Sequence, residues 1–356
     1  MTTINSNTSW EPLDLRSDTV TKPTPAMRRA IADAEVGDDV LDGDPTVRRL
    51  EETVSELLGK ERGLFFPTGT MANQSAIWVH TQPGTEMLID ADAHIVRWDI
   101  AGVAALCGVQ IRPVQGSGSV FDADDLAAAL RPPALDTPEA SLVAIENTHN
   151  GAGGVVTGPD ELRAIRAVAD NAKLAVHIDG ARLWNAAAAL NTSLASLAAV
   201  GDTVMVSFTK GLGAPVGAML VGTRDAMARA LKVRKRFGGG KRQSGVLAAA
   251  ALYGLEHHLT RLPDDHAAAR ELAAALRGAG SWRVVEPDTN IVMIDLPAPY
   301  ADDVVARAEA LGVRVSSWTP TRVRAVTHLD APAERVRAAA PRLLQALEQS
   351  ARAAES

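Results

Sequence analysis

From about residue 63 to residue 222, short apolar runs alternate with helical faces, and that alternation sets the expected fold. Leu174-Ala175-Val176-His177-Ile178 and Val204-Met205-Val206-Ser207-Phe208 are strand-length runs, largely apolar and partly β-branched. Gly63 to Pro67, Met87-Leu88-Ile89 and Leu142 to Ile145 read as further strands, and Pro159 to Asn171 carries a helical face of Leu162, Ile165 and Ala169. Asp44-Pro45 begins a clearer helix. Asp44 can cap it, Pro45 fits the first turn, Val47, Leu50, Val54, Leu57 and Leu58 share a face, and Gly59 ends it. Strand, helix and strand in this order predict an α/β fold with a mainly parallel sheet and right-handed crossovers.

The flanks differ. Ser17 to Lys22 has an extended pattern that stops at Pro23, and Pro25 to Ala34 predicts a helix entered through proline. Beyond Gly245 the chain turns helical and alanine-rich, through the adjacent His257 and His258, which read as a solvated helix end, to Arg277. Val284 to Ile294, Val313-Arg314-Val315 and Val323 to Thr327 predict strands of a smaller carboxy-terminal α+β domain, closed by a helix from Ala333 to Leu347. The expected divisions are residues 1–34 for an N-terminal arm and first helix, 35–255 for a large α/β domain, and 256–356 for the small one. Residues 1 to about 11, rich in Ser, Thr and Asn, are expected to be disordered.

Composition narrows the function classes. The net charge is −7 and only 4% of residues are aromatic, with no basic stripe, so nucleic acid is not an expected partner. The lone Cys107, in the run Val103-Ala104-Ala105-Leu106-Cys107, excludes an internal disulfide framework and reads as a small buried side chain. The first ten residues are mostly polar and no apolar run approaches 18 residues, so no signal peptide or membrane span is expected and the cytoplasm is the expected compartment. No metal-ligand constellation is visible.

The candidate chemistry centres on Lys210. It follows the strand Val204–Phe208 and precedes Gly211-Leu212-Gly213-Ala214-Pro215-Val216-Gly217, which is too rich in Gly and Pro to start a helix. A lysine held there with few partners would have a lowered pKa and a nucleophilic amine. Upstream, the strand ending at Ile178 leads into Asp179-Gly180-Ala181-Arg182. A lysine and a carboxylate at the carboxyl ends of two strands of one sheet face the crevice where α/β proteins bind ligands. The pair suits pyridoxal phosphate, which needs an amine for its aldehyde and an anion opposite its ring nitrogen. Thr68-Gly69-Thr70, opening a helix, offers backbone N–H groups and two hydroxyls to a phosphate. His94 follows the strand at Met87–Ile89 and can stack on a flat ring or accept a proton. His149, in Glu146-Asn147-Thr148-His149-Asn150, is either catalytic or a brace for its loop, the brace being preferred.

Motifs through the chain carry a resemblance. They include Asp14-Leu15-Arg16-Ser17-Asp18-Thr19-Val20-Thr21, Gly37-Asp38-Asp39-Val40, Gly43-Asp44-Pro45-Thr46-Val47 and Pro67-Thr68-Gly69-Thr70. Further along stand Glu146–Asn150, His177-Ile178-Asp179-Gly180-Ala181-Arg182, Lys210-Gly211-Leu212-Gly213, Gly238-Gly239-Gly240-Lys241-Arg242-Gln243 and Val326-Thr327-His328-Leu329-Asp330. In this order they resemble the low-specificity threonine aldolases, pyridoxal-phosphate enzymes of fold type I in the β-eliminating lyase group.

The resemblance implies retro-aldol cleavage of β-hydroxy-α-amino acids to glycine and an aldehyde. It makes Lys210, Asp179 and His94 the catalytic set, His94 also stacking on the cofactor, and Thr68, Gly69 and Thr70 the phosphate cradle. It implies contacts to substrate carboxylate or cofactor oxygens from Arg182, Ser17 and Arg324, the last preferred over Arg322 by its place before Ala325-Val326-Thr327-His328. It places Arg242 at a neighbour's phosphate in a homodimer or homotetramer. Another pyridoxal-phosphate lyase or a transaldolase would use the same Lys210 and Asp179. Three departures stand out: Asp136 where the family carries a loop histidine, Leu41 in place of a tyrosine, and Trp98 in place of a smaller aromatic. Together they imply a site that favours bulky or aromatic aldehyde portions, with Trp98 as a flat face for the substrate.

Overall fold

The computed structural model of the protein describes residues 11–132 and 134–355, so all but the end of the segment expected to be disordered lies outside the described residues. The chain forms two compact units. One is Thr21–Pro263, and the other joins the described residues up to Val20 with those from Asp264 onward. The expected arm and first helix therefore part company. Strand β1 (Leu13–Asp14) belongs to the smaller unit, because it pairs in parallel with a strand at Val313–Arg314. Helix α1 (Pro25–Ala32) belongs to the larger one, where it packs on the helix Gly245–His257.

The larger unit is built on β2 (Arg62–Phe66), β3 (Glu86–Asp90), β4 (Gln110–Val114), β5 (Ala140–Glu146), β6 (Ala175–Gly180), β7 (Thr203–Ser207) and β8 (Ala218–Gly222). They form one seven-stranded sheet in the order β2-β8-β7-β6-β5-β3-β4. Neighbours are parallel except where β8 runs antiparallel to both β2 and β7. The loop from Phe208 to Gly217 is too short for a crossover, so β8 has to return antiparallel. The central strands β6 and β7 are almost wholly buried, as largely apolar runs in a sheet covered on both faces require.

Around the sheet, helix α2 (Pro45–Leu57) starts where expected. The Asp44 carboxylate accepts the N–H groups of Thr46 and Val47, and Val47, Leu50 and Val54 are buried. Leu57, at the edge of that stripe, is exposed rather than part of the face. Helix α3 (Gly69–His80) lies on the sheet with Asn73, Gln74 and Ile77 buried. A four-residue helix α4 (His94–Arg97) follows β3.

In the smaller unit, β9 (Arg283–Val284), β10 (Ile291–Asp295), β11 (Val313–Arg314), β12 (Ser316–Thr319) and β13 (Arg322–Val326) follow one another along the chain. Four of them make an antiparallel sheet, β12-β13-β10-β9, while β11 pairs with β1. The expected strand from Val284 to Ile294 is thus split in two. The expected extended run Ser17–Lys22 contains a 3-10 turn at Asp18–Val20, because the Ser17 hydroxyl accepts the Thr19 N–H and Asn290 holds the buried Asp18 carboxylate. Leu13 and Leu15 join Val292, Ile294 and Leu347 in this unit's core. The last helix, Ala333–Glu355, runs past Pro341 and beyond its expected end.

Candidate active site

Asp179 sits at the carboxyl end of β6, opposite Met205 of β7, and Lys210 lies just beyond the end of β7. The Asp179 side chain is buried. One carboxylate oxygen accepts from Nδ2 of Asn73 at 2.8 Å and the other from the Ala181 N–H at 3.1 Å. Burial and the neighbouring Glu146 carboxylate push its pKa up to about 6, against the pull of His94 and Lys210. A cationic partner at this carboxylate would relieve that cost.

Lys210 is half-buried on a loop of well-bonded backbone. Its carbonyl accepts the N–H of Gly213, which has φ of 71°, and Ala214 N–H returns to the Phe208 carbonyl. The Leu212 carbonyl accepts from His258 Nδ1 at 2.8 Å. Gly254 lets the helix approach this closely, since a Cβ there would stand 2.8 Å from that same oxygen. His258 is therefore a buried brace for the lysine's loop, not part of a solvated helix end. Its neighbour His257 stays partly exposed against Tyr253.

His94 opens α4, its backbone N–H donating to Glu146 Oε2 at 2.6 Å. Its Nδ1 lies 3.0 Å from Oδ1 of Asp99, whose side chain is closed to solvent. Gln74 Nε2 and the Thr70 hydroxyl also donate to that carboxylate, at 3.2 and 3.4 Å. The Asp99 hydrogen bond raises the His94 pKa, opposed by partial burial and helped by the charge of Asp179. With Nδ1 engaged, Nε2 is the nitrogen left for a substrate proton. Trp98 stands beside the imidazole, ring centroids 5.5 Å apart, and is 40% exposed.

At the start of α3 the Thr68 hydroxyl accepts the Met71 N–H and so caps the helix. The Thr68 hydroxyl accepts there and keeps its own hydrogen to donate, the Thr70 hydroxyl is turned to Asp99, and the N–H groups of Gly69 and Thr70 are further donors that helix geometry leaves. Gly69 packs closely, since a Cβ there would lie 3.3 Å from Met205 Cε.

The other expected residues separate into groups. Arg182 is buried, with Nη1 on Asn150 Oδ1. Arg242 is largely exposed and pairs with Asp38. In the smaller unit, Ser17 serves its own turn, and Arg324 donates to the Arg16 carbonyl and stacks on Trp318 at 4.5 Å. Arg322 is taken up by Asp295. His149 is buried in its loop, with Nε2 3.2 Å from Asp90 Oδ1 and Nδ1 accepting the Ala152 N–H. Asp136 precedes the amino end of β5, whereas Glu146 and Asp179 lie at the carboxyl ends.

Asn73, Asp99 and Glu146 were not singled out as site residues by the sequence. The available signal for Asp99 was a carboxylate flanked directly by Trp98 and Ile100.

Residues 14–299 match the β-eliminating lyase family. The chain belongs to that family. It is 39% identical over 325 residues to the low-specificity L-threonine aldolase 1 of Arabidopsis thaliana, covering 89% of this chain and 91% of the relative. Its fold matches the threonine aldolase of Leishmania major with a TM-score of 0.81 and 19% identity, over 94% of this chain and all of that one. It also matches a solved structure of SPT with PLP, with a TM-score of 0.74 and 20% identity over 96% and 88% of the two chains. The mixed, mainly parallel sheet of the larger unit is the sheet expected from the sequence.

Proposed function

We propose that the protein is a pyridoxal-phosphate-dependent aldolase that splits β-hydroxy-α-amino acids of the threonine, allo-threonine and phenylserine type into glycine and an aldehyde, reversibly. Family membership and the named relatives support a carbon–carbon lyase. The observation that carries the reading is the placing of Lys210 and Asp179 at the ends of adjacent parallel strands, with His94 acting electrostatically on the same carboxylate.

The residues fit the cofactor. Asp179 is a buried anion suited to a ring N–H, Lys210 is the amine its aldehyde would take, and the first N–H groups of α3 would hold its phosphate. When bound, pyridoxal phosphate supplies an electron sink for the charge left at Cα. His94 Nε2 takes the proton of the substrate β-hydroxyl as the Cα–Cβ bond breaks. Asp99 holds the imidazole in the tautomer that leaves Nε2 available. Arg182, with Ser17 and Arg324 of the smaller unit, is proposed to hold carboxylate or cofactor oxygens, and Trp98 to face the aldehyde portion. For these contacts the support is the motif resemblance. The same resemblance supports a homodimer or homotetramer in which Arg242 completes a neighbour's site. Among the described residues no helix is long and apolar enough to cross a membrane, and a cytoplasmic location is proposed.

Product analysis with L-threonine, L-allo-threonine and phenylserine tests the activity. Glycine with the matching aldehyde is expected. An α-keto acid with ammonia would replace the reading by β-elimination.

A further inference from the structure

Behind Asp179 runs a continuous chain of side-chain hydrogen bonds between α3 and the sheet. Asn73 Nδ2 is 2.8 Å from Asp179 Oδ2, and Asn73 Oδ1 is 3.0 Å from His177 Nε2. His177 Nδ1 is 2.9 Å from the Thr203 hydroxyl, which is 3.1 Å from His80 Nε2. The regular structure sets this up. His177 and Asp179 are two apart on β6 and share a face, Thr203 is the β7 residue directly across from His177, and Asn73 and His80 lie seven apart on one face of α3. Asn73, His177 and Thr203 are all buried.

Donor and acceptor counting leaves two self-consistent arrangements. With Asp179 ionised, Asn73 must donate to it, so Asn73 Oδ1 must accept. His177 then carries its hydrogen on Nε2, and its bare Nδ1 accepts from the Thr203 hydroxyl. The Thr203 oxygen in turn accepts from His80 Nε2–H. Reversing the chain would turn the Asn73 oxygen toward Asp179, which only a protonated Asp179 could satisfy. Burial keeps His177 neutral, its pKa lowered to about 3, and lowers that of His80 to about 4, so each ring has one donor and one acceptor.

We propose that Asn73, His177, Thr203 and His80 are a positioning relay whose donors all point toward Asp179, holding it as the ionised partner of the cofactor's ring nitrogen. None of the four touches the substrate in this scheme. Each acts through Asp179, so the inference rests on the cofactor reading above. Removing a link leaves a buried neighbour without its partner and weakens the donation that reaches the carboxylate.

Two measurements test the relay. Nitrogen-15 NMR of the cofactor-free and cofactor-loaded wild-type protein reads the His177 tautomer without any substitution. Hydrogen on Nε2 and a bare Nδ1 are expected in the loaded protein, and hydrogen on Nδ1 there would overturn the proposal. Dissociation constants are then compared for pyridoxal phosphate and for its analogue with carbon in place of the ring nitrogen, using His177→Phe and Thr203→Val. The relay predicts weakening of about tenfold or more for pyridoxal phosphate, the scale of a hydrogen bond to a charged group, with the analogue changed less than twofold. Equal weakening of both ligands, or of neither, would reduce the four residues to packing. Failure of the wild-type protein to bind pyridoxal phosphate would instead contradict the cofactor reading itself.

Discussion

His94 Nδ1 and Asp99 Oδ1 lie 3.0 Å apart, and the Asp99 side chain is sealed from solvent while the imidazole is 39% exposed. The carboxylate thus fixes which nitrogen faces outward and raises the His94 pKa. In Asp99→Asn the charge that favours the imidazolium is gone, so the His94 pKa falls. The acid limb of kcat/KM should move to lower pH, and the plateau should drop because the remaining base is weaker. An unmoved limb would separate Asp99 from the base.

His94→Ala should lose about 10²-fold or more in retro-aldol rate, the usual scale of a positioned base. Single-turnover measurement checks this at the chemical step. A variant with nearly full activity would assign the proton to a bound water or another residue.

The half-buried Lys210 gives a spectroscopic expectation. The purified protein should be yellow, and borohydride should fix the cofactor to Lys210 in a peptide map. An adduct on another lysine, or none, would contradict the site.

Much of the larger unit is legible in the sequence for a simple physical reason. Its central strands are buried on both faces, so β6 and β7 appear as largely apolar runs, interrupted in β6 by His177, and the polar residues at the end of each run must sit at the sheet's carboxyl edge. That locates Asp179 and Lys210. The residues that surround them are set by tertiary approach instead. Asn73 reaches Asp179 across a helix–sheet interface, and His258 reaches the Leu212 carbonyl from a distant helix, with no local periodicity marking either one. The turn at Ser17 is hidden in a different way: its hydroxyl accepts from both the N–H and the hydroxyl of Thr19, and an extended pattern of residue types gives no sign of those bonds.

Trp98, 5.5 Å from His94 between ring centroids, presents a broad flat face beside that imidazole. Phenylserine should therefore be cleaved with higher kcat/KM than threonine, and Trp98→Ala should narrow the difference. A clear preference for threonine would rule out this role.

Arg242 pairs with Asp38 through a side chain that is 55% exposed, so exchanging that partner for another anion costs little. Sedimentation should show a dimer or tetramer, and Arg242→Ala should weaken cofactor binding. An active monomer at assay concentration would exclude the shared site.

The most direct test of the central claim is the cleavage of L-threonine in D2O, followed by proton NMR over the first turnovers. Cleavage between Cα and Cβ predicts acetaldehyde and glycine in equal amounts, the glycine carrying one deuterium at Cα. Release of ammonia with 2-oxobutanoate, and no glycine, would contradict it.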